Sequence, residues 1–391
     1  MDYKYYPIIR TASAEIKALQ ESNIKNKSNV IPIIELTRGR KQVGKKVNSA
    51  IQDSKETDLT KIPSIYNFIK NVDNIKEYIN YGLIDITREE TLMCYELDNL
   101  LDYKDGYCNW VSFLQKDFKD RNNIPVIQIT NQEVSPDDYT NNLIKQFQIL
   151  SQNYNSIAYR VNSKDEDYFY DFKILEKELK EFLSADKSFY VIIDFELIRF
   201  GTFKLHAKTA YNNFIQFLHK EFPNIKFIIL ATTFPKFITD ITKKDSGNFE
   251  LEEIKLFQDL ISQNKLKANI LYGDYASIHP IRNDIKGGAR GWIPRIDIVD
   301  FPAKKMHFMK LRKENKEDPY ALIYHQLAKE VIKEPFFKSL KTESWGKQVI
   351  QEASNSIRGV QGSSPSFWIS VRMNIYLQEI QEYLQDIYKQ V

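Results

Sequence analysis

The chain has 391 residues, 42% of them hydrophobic, enough to bury a large core as one big domain with an appendage. Lys and Arg number 55 against 52 Asp and Glu, a formal charge of +3, so charge by itself does not mark a nucleic-acid-binding protein. Cys94 and Cys108 are too few for a disulfide framework or a Cys-based zinc site and fit a reducing cytoplasm. No apolar run reaches the roughly 18–20 residues of a membrane span. The opening MDYKYYPIIR has no basic stretch leading into an apolar one, so no signal peptide is expected. The expected location is cytoplasmic, with no membrane partner.

Short β-prone runs recur along the chain, each followed by a helix-like stretch. They are Tyr5–Arg10, Val30–Leu36, Leu83–Thr87, Ile124–Thr130, Ser156–Asn162, Phe189–Glu196, Lys226–Thr233 and Ala268–Tyr275. They are apolar and β-branched without clean alternation, as strands covered on both faces are. The connecting stretches are amphipathic: DFKILEKELKEFL places Phe172, Leu175, Leu179 and Leu183 on one face. Eight strand–helix units predict an α/β fold, a (β/α)8 TIM-like barrel of parallel strands with right-handed crossovers, spanning about Tyr3 to Ile278. A doubly wound open sheet is the competitor, though no G-x-G-x-x-G turn follows the first strand. The expected division is a barrel over 1–300, with a polar insertion near 37–61, and a mainly helical extension over 301–391 packed on it.

Nearly every expected strand ends in a polar or ionisable residue: Arg10, Glu35, Asp85, Gln128, Arg160, Asp194, Thr232 and Asp274. In a (β/α)8 barrel the carboxyl ends share one mouth, so these side chains converge. Buried charges must pair, bind metal or bind substrate. The plain alternative is structural, with inter-strand ion pairs such as Arg10–Glu35 or Arg160–Asp194. Glu196 shares the parity of Asp194 and would point toward the axis one layer on. The five histidines include none at a strand end and no metal spacing, and the lysines nearest a strand end lie in the following loops or helices, which disfavours Schiff-base chemistry.

An oxygen-rich mouth suits Mg²⁺ or Mn²⁺, held by Glu35, Asp194 and Asp274 with Asp85 beside them. Arg10 and Arg160 suit a forked grip on phosphate, with Gln128 as a further ligand contact. In GDYASIHP, Asp274 and His279 form a candidate acid–base pair, against the reading of a glycine turn with a solvent histidine. The stretch RNDIKGGARGWIPR carries Arg282, Lys286, Arg290 and Arg295 with Trp292 among glycines, fit to hold phosphate and stack on a base, against the reading of a loop with solvated charges. RGRKQVGKK adds Arg38, Arg40, Lys41, Lys45 and Lys46 after the second strand, a basic rim over an acidic centre, against the reading of a plain surface charge run. In the tail, Trp368, Arg372 and Tyr376 stand four apart on one helical face, best read as packing against the barrel.

Several blocks resemble the phage-type beta protein family, named for a T-even phage member. They are YYPIIRTASAEIKALQ, IPIIEL, YGDYASIHP, a PRIDIV strand and a late helix with Trp368, Arg372 and Asn374. The resemblance runs from Tyr5 to about Ile375, and the order of the blocks carries most of its specificity. IYLQEI stands where the family pattern has histidines after the late asparagine. The resemblance implies a barrel-type protein of phages, mobile elements and bacterial defence neighbourhoods, with Arg10, Glu15, Glu35, Asp274 and Arg295 in its recurring core, and no established reaction. Two functions follow as expectations. One is a defence protein or phage-encoded counterpart whose mouth binds a phosphorylated nucleotide or nucleic acid, with or without Mg²⁺- or Mn²⁺-dependent phosphodiester chemistry. The other is a non-catalytic scaffold that binds a partner protein from the same operon.

Overall fold

The computed structural model describes residues 4–22, 24, 29–41, 66–118, 122–130, 133–281, 292–357 and 360–389. The apolar runs become β1 (Tyr5–Arg10), β2 (Ile33–Leu36), β3 (Leu83–Ile86), β4 (Ile124–Pro125), β5 (Ser156–Asn162), β6 (Ser188–Leu197) and β7 (Lys226–Thr232). After β8 (Ser246–Glu250) comes β9 (Asn269–Asp274), the eighth barrel strand. These eight lie in the order β4-β3-β2-β1-β9-β7-β6-β5, each ladder parallel. A parallel bridge between Val126 and Ala158, with Ile127 N–H donating to Ala158 O at 2.8 Å, joins the outer strands β4 and β5 and closes the ring. The fold is therefore a (β/α)8-type barrel with a helical C-terminal region. Helices between the strands cover its outer face, which is why the strands carry apolar residues on both sides.

β4 is shorter than its apolar run. Pro125 has no N–H to give a ladder, and Gln128 N–H turns instead to the side chain of Gln146 at 2.8 Å. β8 pairs with β11 (Lys305–Lys310), which pairs with β10 (Arg295–Asp300), in a small antiparallel sheet. The region after 301 therefore opens with a strand before its helices begin. The expected division at 300/301 falls at the turn of the β10–β11 hairpin. Of the polar insertion, 42–61 lie outside the described residues.

The C-terminal helix Pro365–Lys389 packs on the outside of the barrel, where Asn374 Nδ2 donates to Ala18 O at 3.4 Å. Trp368 stacks at 4.5 Å on Tyr324 of the helix Tyr320–Val331 and not on the barrel, whereas Tyr376 meets the barrel as expected, its hydroxyl 2.7 Å from Asp274 of β9; Arg372 is buried between them. The C-terminal helix also lies close against the helix Trp345–Asn355. A Cβ at Gly346 would stand 2.5 Å from Val371 O and 2.7 Å from Ile375 Cγ1. Gly346→Ala is expected to cost about 1–3 kcal/mol by forcing these helices apart. Urea denaturation checks it, and a variant as stable as the parent contradicts it. No helix among the described residues is long and apolar enough to cross a membrane.

Candidate functional site at the barrel mouth

Pairing within the barrel fixes which side chains look inward. Tyr6 and Tyr190 stand 6.1 Å apart although β1 and β6 are not neighbours, so both face the lumen. Alternation then turns Arg10 and Asp194 inward from the same strands. Arg160 confirms the convergence, because one guanidinium reaches three strands. Its Nη1 lies 3.0 Å from Glu35 Oε1 and 2.9 Å from Asp85 Oδ2, and its Nη2 lies 2.7 Å from Asp194 Oδ2. Arg160 Nε donates to the same Asp194 oxygen at 3.0 Å. Arg10 Nε holds the other Glu35 oxygen at 2.6 Å, and its two terminal nitrogens donate to the backbone oxygens of His279 and Pro280. Gln128 Nε2 donates to Asp85 Oδ1 at 3.1 Å, and Tyr275 OH donates to Asp194 at 2.9 Å. Arg10, Glu35, Asp85, Gln128, Arg160 and Asp194 thus form one network, each side chain nearly or wholly buried.

The charges nearly cancel. Glu35, Asp85 and Asp194 face Arg10 and Arg160, and Arg88 stands 3.9 Å from Asp85 at the edge. Burial alone would raise the Glu35 carboxyl, but the charges of Arg10 and Arg160 outweigh it and hold it below the usual range. Burial would likewise strip charge from Arg160, yet the surrounding carboxylates keep it firmly protonated.

Other expected residues stand elsewhere. Asp274 does not face the mouth: Gly273 pairs with inward-facing Tyr6, so Asp274 looks outward. There it accepts the hydroxyls of Tyr5, Tyr272 and Tyr376 at 2.6–2.7 Å, beneath the C-terminal helix. Its inward neighbours are Gly273, where a Cβ would meet Ile228 at 2.9 Å, and Tyr275. Glu196 follows an irregularity in β6 and has φ of 53°, so the alternation that would carry it to the axis is broken; its amide donates to Asp194 Oδ1 at 2.8 Å. The His279 ring bonds the Ile281 amide at 2.9 Å and shows no contact with Asp274. Thr232 donates to Ile278 O at 3.3 Å. Arg295 pairs with Asp297 at 2.9 Å, outside the mouth network. Arg290 lies outside the described residues.

The residues proposed for Mg²⁺ or Mn²⁺ do not fit an ion. Asp274 faces away, a guanidinium occupies the point between Glu35 and Asp194, and among the described residues no group of three acid, His or Cys side chains is arranged to hold a metal.

A second acidic cluster escaped the strand-tip pattern. Glu253 accepts from Thr233 N at 3.0 Å and from the Thr233 hydroxyl, just outside the barrel wall. Burial raises its carboxyl to about 8, against the pull of the Thr233 hydrogen bonds and with help from Asp274. The folded group thus binds its proton more tightly than the unfolded one. Its contribution to stability is full below the ordinary glutamate range and is lost as pH rises to about 8. Glu253→Gln is expected to flatten the fall in stability between about pH 4.5 and pH 8. Melting curves across that range test this, and an unchanged pH slope contradicts it.

A closed parallel barrel whose strand tips meet in one buried ion network defines an α/β-barrel protein with its candidate site at the carboxyl face. The chain belongs to the Beta protein family, whose model matches residues 5–381. Protein beta of Enterobacteria phage P4 is 27% identical over 393 residues, covering 98% of this chain and 95% of that protein. The phage link expected from the sequence therefore stands, with phage P4 as the relative's source. Among solved structures, SuiB of Streptococcus suis bound to S-adenosylmethionine aligns at 11% identity and a TM-score of 0.26, covering 71% of this chain and 49% of SuiB. A likeness at that level defines neither fold nor ligand.

Proposed function

We propose that the chain acts in phage–host conflict and that its barrel mouth binds a phosphorylated nucleotide or the end of a nucleic acid. The observation that carries this reading is Gln128. Its Oε1 is buried without a partner among the described residues, and its Nε2 joins the network through Asp85. Turning the amide over would set that oxygen against the carboxylate, so the acceptor stays open. An open acceptor among carboxylates suits the amino and hydroxyl donors of a base and its ribose. Basic residues follow the same strands in the chain, Arg38, Arg40 and Lys41 after β2 and Arg88 after β3, and in this reading they hold the phosphates. Family membership and the phage P4 relative support the biological setting. Because the residues do not fit a divalent ion, no metal-dependent step is part of this reading.

A second reading, a non-catalytic scaffold for a partner protein, is favoured by one observation: the strand-tip charges already neutralise one another. Thermal melting with a panel of nucleotides separates the two. The first reading predicts a melting point raised by several degrees, about 2.7 kcal/mol of stabilisation at a hundredfold excess over Kd. The shift should vanish in Gln128→Leu and shrink in Arg88→Ala. Flat melting with every nucleotide favours the scaffold.

A further inference from the structure

We infer that the rim beyond β6 and β7 is a ledge for single-stranded nucleic acid, which leads the strand's end to the mouth and so rests on the reading above. The segment after β6 carries Arg199, Phe200, Lys204, Leu205 and Lys208; the segment after β7 carries Lys236, Phe237, Lys243 and Lys244. All nine side chains are exposed, with Phe200 at 45% and Phe237 at 47%. Among the described residues, none of the six cations has a carboxylate within ion-pair distance. The acids of the same stretch are Glu196, Asp240 and Asp245, and Asp240 is turned to the Phe237 amide at 3.3 Å. Six cations against three acids leave the ledge positive.

The two segments form one surface. Ile198 N–H donates to Thr232 O at 2.9 Å where the strands end, and Phe249 packs 6.3 Å from Phe200 and 5.6 Å from Phe234 beneath. The surface also borders the mouth: Thr232 at the end of β7 donates to Ile278 O at 3.3 Å, and the next backbone oxygen, that of His279, takes a hydrogen bond from Arg10 at 3.3 Å. Single exposed rings spaced among unpaired cations suit stacked bases joined by phosphates. A protein partner would call for a contiguous apolar area instead. A duplex, whose bases already stack on each other, gains nothing from the rings.

Fluorescence anisotropy with labelled oligothymidylate, oligouridylate and a duplex of equal length tests this on the full chain, at about 50 and 200 mM salt. Single strands are expected to bind more tightly than duplex, DNA and RNA alike if the contacts are rings and phosphates. Phe200→Ala/Phe237→Ala is expected to weaken binding by about tenfold or more. Lys236→Gln/Lys243→Gln/Lys244→Gln is expected to lower the salt dependence by about two units of slope. The melting points of both variants are read alongside to show that they fold. Equal binding of duplex, or unchanged binding by the ring variant, overturns the ledge. So does pull-down of a protein lost in the ring variant with no oligonucleotide bound. Mononucleotide shifts without oligonucleotide binding overturn the ledge and leave the mouth reading standing; oligonucleotide binding without any mononucleotide shift keeps the ledge and removes the mouth reading.

Discussion

Arg160→Met is expected to lower the unfolding free energy by about 3–5 kcal/mol, the range seen when one partner of a buried ion pair is removed. The upper part of that range applies, because Glu35, Asp85 and Asp194 all lean on this guanidinium. Their side chains are at most 5% exposed, so water cannot replace the lost charge. Arg160→Lys should restore little, since an ammonium cannot fork toward three carboxylates. The deficit of Arg160→Met should shrink as pH falls, because the parent loses the stability that Arg10 and Arg160 give to ionised Glu35, while the variant has less of it to lose. Denaturant titration at two pH values reads both effects. A loss below about 1 kcal/mol would show that the carboxylates find other partners.

Arg372→Met is the second large effect, with an expected cost of about 2–4 kcal/mol. Arg372 Nη1 lies 2.7 Å from Asp297 Oδ2, its Nε lies 3.3 Å from Ser277 Oγ, and its guanidinium sits 4.1 Å above the Phe234 ring. One side chain thus ties the C-terminal helix to β10, to the loop after β9 and to the loop after β7. Arg295 stays beside Asp297, which keeps the loss under that of Arg160. The variant is also expected to be cut faster by protease within 365–389. Unchanged stability and unchanged cutting would make the helix an appendage that the barrel does not need.

The barrel was legible because buried parallel strands are written as continuous apolar runs, and β1 and β5 match their runs end to end. The small sheet was not. β8 buries only Phe249 among polar residues, and β11 reads as KMHFMK, an alternation too short to stand out before helical sequence. Likewise DFKILEKELKEFL reads as one helix, yet the chain breaks at Leu175 into Tyr168–Ile174 and Glu176–Ser184. At the mouth, Arg10, Glu35, Asp85, Gln128, Arg160 and Asp194 were visible as strand tips. Asp274 misled because only its register against Tyr6 shows that Gly273 and Tyr275 take the inward places. Glu253 and the Arg372–Asp297 pair come from packing between distant segments, which no local pattern records.

The account turns on six strand-tip side chains meeting in one buried network. A double-mutant cycle between Glu35→Gln and Asp194→Asn tests this most directly, because the two residues sit on β2 and β6 and share the Arg160 guanidinium. The expected coupling is about 1 kcal/mol or more in unfolding free energy, as for residues sharing one network. Effects that add within about 0.5 kcal/mol would place Glu35 and Asp194 in separate surroundings and contradict the shared mouth.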